Sequence, residues 1–181
     1  MSTRPPRVEA AIGPRGGPQA GGHPVWAPAR LCTLCGMDDE IGICLPSTWR
    51  RRSAPEHGVV LTARSAVLPP GGVHPELTLR CVAVADDLRG WRSAAIAELS
   101  RRLDDFEIED DDVFDLLGRE VAYHRFAHRR GAADVLSDQW AWLADGLGVT
   151  LTCSVGRADY PDYCDVFEGV AATVRIGPRA A

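Results

Sequence analysis

Along most of the chain, apolar positions recur with one of two periods. His57–Arg64 is rich in β-branched residues and predicts a strand. Leu77, Leu79, Cys81, Ala83 and Ala85 fall on every second position, so Leu77–Ala85 reads as a strand with that face buried. The period then lengthens. Trp91, Ala95, Leu99, Leu103 and Phe106 recur near every fourth residue, with Arg92, Glu98, Arg101 and Arg102 off the stripe, which predicts a one-faced helix. Gly118–Phe126 returns to strand, and Arg129-Arg130-Gly131 turns the chain. Asp134–Leu143 and Leu147–Val155 flank Ala144-Asp145-Gly146, and an Asp-Gly pair between alternating runs marks a tight hairpin. Before these, Ile41–Leu45 is a short apolar run closed by Pro46, followed by Trp49 and the basic knot Arg50-Arg51-Arg52. Tyr163, Val166, Phe167, Val170 and Val174 form a second helical stripe, opened by Pro161 and stopped at Gly177-Pro178. The order β-β-β-helix-β-β-β-helix predicts an α+β domain, a central antiparallel β-sheet flanked by two main helices.

Composition adds a tail to this picture. Five Gly and six Pro crowd the first 30 residues, so 1–28 is expected to be a disordered Gly/Pro/Arg tail and 29–177 a single folded domain. No apolar core of the length a secretory signal needs follows the early arginines, and no lipid-attachment cysteine follows one, so the expected location is cytoplasmic. No stretch approaches the ~20 apolar residues of a spanning helix. The 181 residues carry 20 basic and 25 acidic side chains, a formal charge of −5, which disfavours general nucleic-acid binding. All 20 basic residues are arginine, which fits a GC-rich, actinobacterial-type origin.

Motifs for chemistry are few. There is no Gly-x-Ser-x-Gly nucleophile elbow, and without lysine there is neither a phosphate-loop lysine nor a Schiff-base lysine. Cys32-Thr33-Leu34-Cys35 has the spacing of half a zinc site or a redox pair, but no second pair follows and Gly36-Met37-Asp38-Asp39-Glu40 reads as a turn. Inert thiols are the expectation there; a metal- or redox-linked enzyme using Cys32 and Cys35 is the weakest of three readings. Cys81 and Cys153, inside strands, are expected to pack as small core hydrophobes. His124 and His128 are expected as ordinary histidines on the exposed face of a strand, about 13 Å apart, too far to share a metal. No cofactor is expected.

Two features point to binding instead. Asp104–Asp115 holds Asp104, Asp105, Glu107, Glu109, Asp110, Asp111, Asp112 and Asp115 with no base, and lacks the glycine of an EF-hand loop. It reads as a solvated face, as a weak calcium-binding run, or as a dock for a basic partner surface. Trp140 and Trp142 share one face of the hairpin's first strand; packed they belong to the core, and open they would anchor a partner.

The order of elements also resembles a known group. The residues that carry the likeness are Leu45-Pro46 with Trp49, His74-Pro75 before the strand Leu77–Ala85, the midchain helix, and the strand Gly118–Phe126. The hairpin holding Trp140 and Leu151-Thr152 and a last helix opening at Asp159-Tyr160-Pro161 with Phe167 and Val170 complete it. Over roughly residues 32–176 the chain resembles the small-domain family of LpqN-type proteins, related to PsbP, DcrB and Mog1. The resemblance implies a sheet flanked by helices and a non-catalytic, protein-binding or accessory role, with no catalytic residues to transfer. Taken together, the expectation is a non-enzymatic adaptor that binds a protein partner through Glu107, Glu109, Asp110, Asp111 and Asp112 or through Trp140 and Trp142. A small-ligand carrier, with a pocket between sheet and helix and a tryptophan on its wall, is the alternative.

Overall fold

The computed structural model describes residues 26–31, 39–52 and 58–178. Two sheets organise them. The larger has seven strands in the order β3 (Trp49–Arg52), β4 (Val59–Ser65), β5 (Glu76–Ala83), β9 (Leu147–Gly156), β8 (Ala133–Ala144), β7 (Glu120–Arg130) and β6 (Asp104–Asp115). The smaller has β1 (Trp26–Leu31) and β10 (Arg175–Pro178) on either side of β2 (Asp39–Pro46). Every pairing is antiparallel. Two α-helices are present among the described residues, α1 (Leu88–Arg102) and α2 (Cys164–Ala171), with a 3-10 turn at Arg157–Asp162 before α2. The α+β class and the antiparallel sheet agree with the sequence pattern.

The hairpin between β8 and β9 follows its predicted chemistry. Asp145 and Gly146 both take positive φ, 49° and 78°, the geometry a two-residue I′ turn requires. The register from Val135↔Gly156 to Ala144↔Leu147 is then uninterrupted. These two strands lie at the centre of the sheet and are buried on both faces, which explains why β8 does not read as a clean alternation.

One face of the large sheet carries Leu77, Leu79, Cys81, Val149, Leu151, Cys153, Trp140 and Trp142. It packs against Ile41, Ile43 and Leu45 of β2, Ile176 of β10, and Phe167, Val170 and Ala171 of α2. Phe167 is fully buried and meets Trp49 edge-on at 6.4 Å. So this face is covered by a small sheet together with a two-turn helix, where a helix alone was expected. The opposite face is more polar and is met by α1 over β6, β7 and β8.

Four strands were not expected. β1 begins at Trp26, inside the stretch assigned to the tail; residues 1–25 lie outside the described residues. β3 takes up the arginine knot, and β10 takes up Gly177-Pro178, read as a helix stop. β6 takes up the acidic run, and Phe106, counted as the end of a helix, stands in it. The helical stripe fails there because Leu103 is already extended (ψ 132°) and closes α1 as its C-cap.

Candidate functional site

The acidic run is an edge strand. β6 pairs with β7 on one side and ends the sheet on the other, and most of its side chains are exposed. Its register slips twice, between Asp104 and Glu107 and between Ile108 and Asp110. Glu109 falls in the second slip and pairs with Arg157 at 2.5 Å, the same arginine that holds Asp134 at 3.0 Å. Asp111 lies 3.4 Å from His124, and Asp105 pairs with Arg129 at 3.3 Å. Glu107, Asp110 and Asp112 are exposed, with no ion pair among the described residues. Like charges along a free edge oppose pairing with an identical edge and attract a cationic one.

Behind that edge lies a buried polar cluster. Asp138 stands on β8 in phase with Leu136, Trp140 and Trp142 and is 1% exposed. Its carboxylate accepts from Tyr123 Oη at 2.6 Å, from Tyr160 Oη at 2.8 Å and from Arg125 Nε at 3.1 Å. Arg125 also lies over the Tyr160 ring, 4.9 Å from its centre. Burial and the neighbouring carboxylate push both phenols well above the ordinary tyrosine range, so they stay protonated donors. Burial lowers the Arg125 pKa, but the Asp138 carboxylate outweighs it and the net shift is upward. The cluster is therefore a fixed, charged set of donors and acceptor, suited to holding β7, β8 and the 3-10 turn together.

Sequence reasoning did not single out these residues. The available signal was a lone aspartate in phase with two tryptophans and a leucine, a position that needs partners if it is buried.

Two hollows flank the outer strands. A cavity of about 340 Å³ lies between β6–β8 and α2, with Trp140, Tyr123, Phe114 and Leu116 on its walls and Asp110, Asp112 and Arg125 at its polar side. A larger cleft of about 600 Å³ lies on the opposite face, between α1 and β6–β7. Its walls include Ile96, Ile108, Val113 and Ala122 together with Arg92 and His124. Arg92, placed by its spacing on the solvent side of α1, is instead the one buried residue of that helix.

Several expectations need correction. Trp140 and Trp142 are each 3% exposed, so neither is an open anchor; of the two readings, core packing holds, because α2 and the small sheet cover their face. His124 and His128 are on a strand as expected but are buried beneath the α1 side of the sheet, at 6% and 8% exposure. Cys81 and Cys153, by contrast, are core residues as expected, and burial pushes the Cys81 thiol up to about 12. Cys32 and Cys35 lie outside the described residues. Among the described residues no three His, Cys, Asp or Glu side chains converge as a metal-binding group, and no helix is long and apolar enough to cross a membrane.

No family model and no curated protein matches the sequence. Solved structures do match in fold. The cyanobacterial PsbP protein CyanoP of Synechocystis sp. PCC 6803 aligns with a TM-score of 0.61 at 14% identity, over 91% of this chain and 100% of its own. LpqN of Mycobacterium tuberculosis, a protein involved in cell envelope biogenesis, aligns at 0.64 and 13% identity over 84% of this chain and 92% of its own. The Ran-binding protein Mog1p of Saccharomyces cerevisiae aligns at 0.55 and 10% identity, over 84% and 96%. By these alignments the chain has the fold of the PsbP/Mog1-like group, which includes LpqN-like proteins.

Proposed function

We propose that this chain is a non-catalytic accessory or adaptor domain that binds a protein partner through the acidic edge strand β6. The observation that carries the reading is the position of the run Asp104–Asp115, an exposed outer strand of a seven-stranded sheet. An edge strand offers a row of backbone donors and acceptors to an incoming extended segment, and flanking carboxylates select one that is basic. A fold neighbour named as a Ran-binding protein is compatible with a protein partner for this one. The cytoplasm is the compartment we assign to it.

The test is affinity capture with the full chain at low and at raised salt, using the wild type and a D110N/D111N/D112N variant. Screening shortens the reach of exposed charges from about 10 Å at 0.1 M salt to a few ångströms at 1 M. A partner captured at low salt, released by raised salt and lost by the variant supports the edge. A partner that the variant retains moves the interface elsewhere and overturns this assignment.

The carrier reading has one observation in its favour, the cavity of about 340 Å³ with Trp140 on its wall. Saturable quenching of tryptophan fluorescence by a ligand, absent in Trp140→Phe, would support it.

A further inference from the structure

We propose that the cleft between α1 and the β6–β7 face is a binding site for a small monocarboxylate with an apolar body, its carboxylate received by Arg92. The site is distinct from the outer edge of β6 and does not depend on that edge binding a protein.

Arg92 is 4% exposed, yet no carboxylate among the described residues lies within ion-pairing distance of it. Its guanidinium donates to the side-chain oxygen of Gln139 and lies 5.3 Å from the centre of the Trp91 ring. Among the described residues its Nε–H has no acceptor. A buried cation with neutral partners only is costly, and a buried donor left unmade adds to that cost. A carboxylate would supply both the missing acceptor and the missing charge, with the charge-assisted geometry that guanidinium groups favour. Beside it, His124 is 6% exposed and its Nδ1 also has no hydrogen-bond partner among the described residues. Burial and the Arg92 charge, outweighing Asp111, lower the His124 pKa, so the ring is neutral at pH 7 and does not repel or duplicate the cation.

The rest of the cleft defines the body of the ligand. Leu88, Ile96, Ile108, Val113 and Ala122 line it, and Ile108 and Val113, 36% and 50% exposed, leave apolar surface open to a ligand body. The volume of about 600 Å³ is that of a small-molecule site. Arg89, Asp111 and Glu120 also line the cleft. With Arg89 and Arg92 set against Asp111 and Glu120 the cleft has no excess positive charge to hold a dianion, which favours a monoanion.

Octanoate is the probe and 1-octanol its uncharged control, each titrated calorimetrically into the full chain. The expected result is saturable octanoate binding, weaker by about tenfold or more for octanol, and reduced to the octanol level in Arg92→Gln. Because Arg92 is buried, that variant could be compromised in folding. Ser93→Trp provides a second route, since Ser93 is exposed and lines the cleft, and an indole there fills the space without disturbing the core. It should abolish octanoate binding while leaving the circular dichroism spectrum unchanged. The Arg92 Nε–H resonance should also shift on saturation. Absence of octanoate binding at millimolar concentrations, equal binding of octanol, or undiminished binding by the folded Ser93→Trp variant would each overturn the site.

Discussion

Tyr123 and Asp138 face each other across the β7–β8 pair, with the phenol oxygen 2.6 Å from the carboxylate inside the protein. The register sets Tyr123 opposite Trp140 and Asp138 opposite Arg125, so the bond crosses diagonally between neighbouring pairs. Asp138 is shared by three donors, and the donors come from two different parts of the chain. Removing the acceptor strands all of them.

Asp138→Ala is therefore expected to cost about 3–5 kcal/mol, the range for breaking a buried charged pair from one side. Tyr123→Phe removes a single bond and should cost about 1 kcal/mol. Chemical denaturation of the two variants and of the double variant measures this. The double variant should fall well short of the sum, because the phenol has nothing to bond once the carboxylate is gone. Additive losses would mean that the two groups act independently.

The histidines set an acid limit on stability. Burial lowers the pKa of His124, reinforced by Arg92 and opposed by Asp111. Burial also lowers that of His128, reinforced by Arg130 and opposed by the Arg129 carbonyl, Asp134 and Glu76. With folded values below the ordinary 6.5, the unfolded chain binds more protons between the two values, so stability rises with pH there. The contribution is complete above about pH 6.5 and is lost as pH falls below it. Thermal midpoints followed from pH 7.5 down to 5 should decline from about 6.5. A His124→Gln, His128→Gln variant should decline less over that window. An unchanged slope would place the acid sensitivity in other groups.

The sequence pattern carried the inner strands and missed the edges, for a physical reason. Burial on one face imposes alternation on β5, and β9, buried on both faces, still sets its large apolar side chains on one face and small or hydroxyl residues on the other; the Asp145-Gly146 turn fixes its hairpin partner, so local rules suffice. The strands β3 and β6 have little apolar face to alternate: their residues become strands because β4 and β7 offer them a ladder. Tertiary pairing overrides local preference in both. Arg92 fails to read as buried for a related reason. It flanks the stripe of Trp91, Ala95 and Leu99, and only the position of Gln139 on β8 makes the inward direction polar enough to accept it. The acidic run was legible as charge; its role as an outer strand was not.

At Gly148 of β9 the Trp91 ring of α1 lies close against the backbone. A Cβ built there would stand 2.6 Å from Val84 Cγ2 and 2.7 Å from the Trp91 ring. To make room, the Trp91 ring must turn or α1, which also carries Arg92, must shift. Gly148→Ala should cost about 1–3 kcal/mol as overpacking, and shift tryptophan emission as the ring moves. Trp91→Leu in the same chain should recover part of the loss. If Gly148→Ala matches wild-type stability, α1 is not seated against β9 at this point.

Among the described residues, the two outer strands of the large sheet carry opposite charge. β3 ends one side with Arg50, Arg51 and Arg52; β6 ends the other with eight carboxylates. An exposed edge strand invites pairing with its own copy, and a row of like charges is one way proteins prevent it. The carboxylates of β6 should then act as a solubility device whatever partner the strand takes. Asp110→Val with Asp112→Val leaves Asp111 alone between two valines and followed by Val113 and Phe114, a short apolar β-former of the kind that aggregates. That variant should self-associate more than the wild type as concentration rises, with the difference read by light scattering at equal concentration. Asp110→Asn with Asp112→Asn, which removes charge but adds no apolar surface, should lie between them. If the valine variant stays as dispersed as the wild type, the slips in register at Asp104–Glu107 and Ile108–Asp110 already protect the edge, and the charge serves the partner alone.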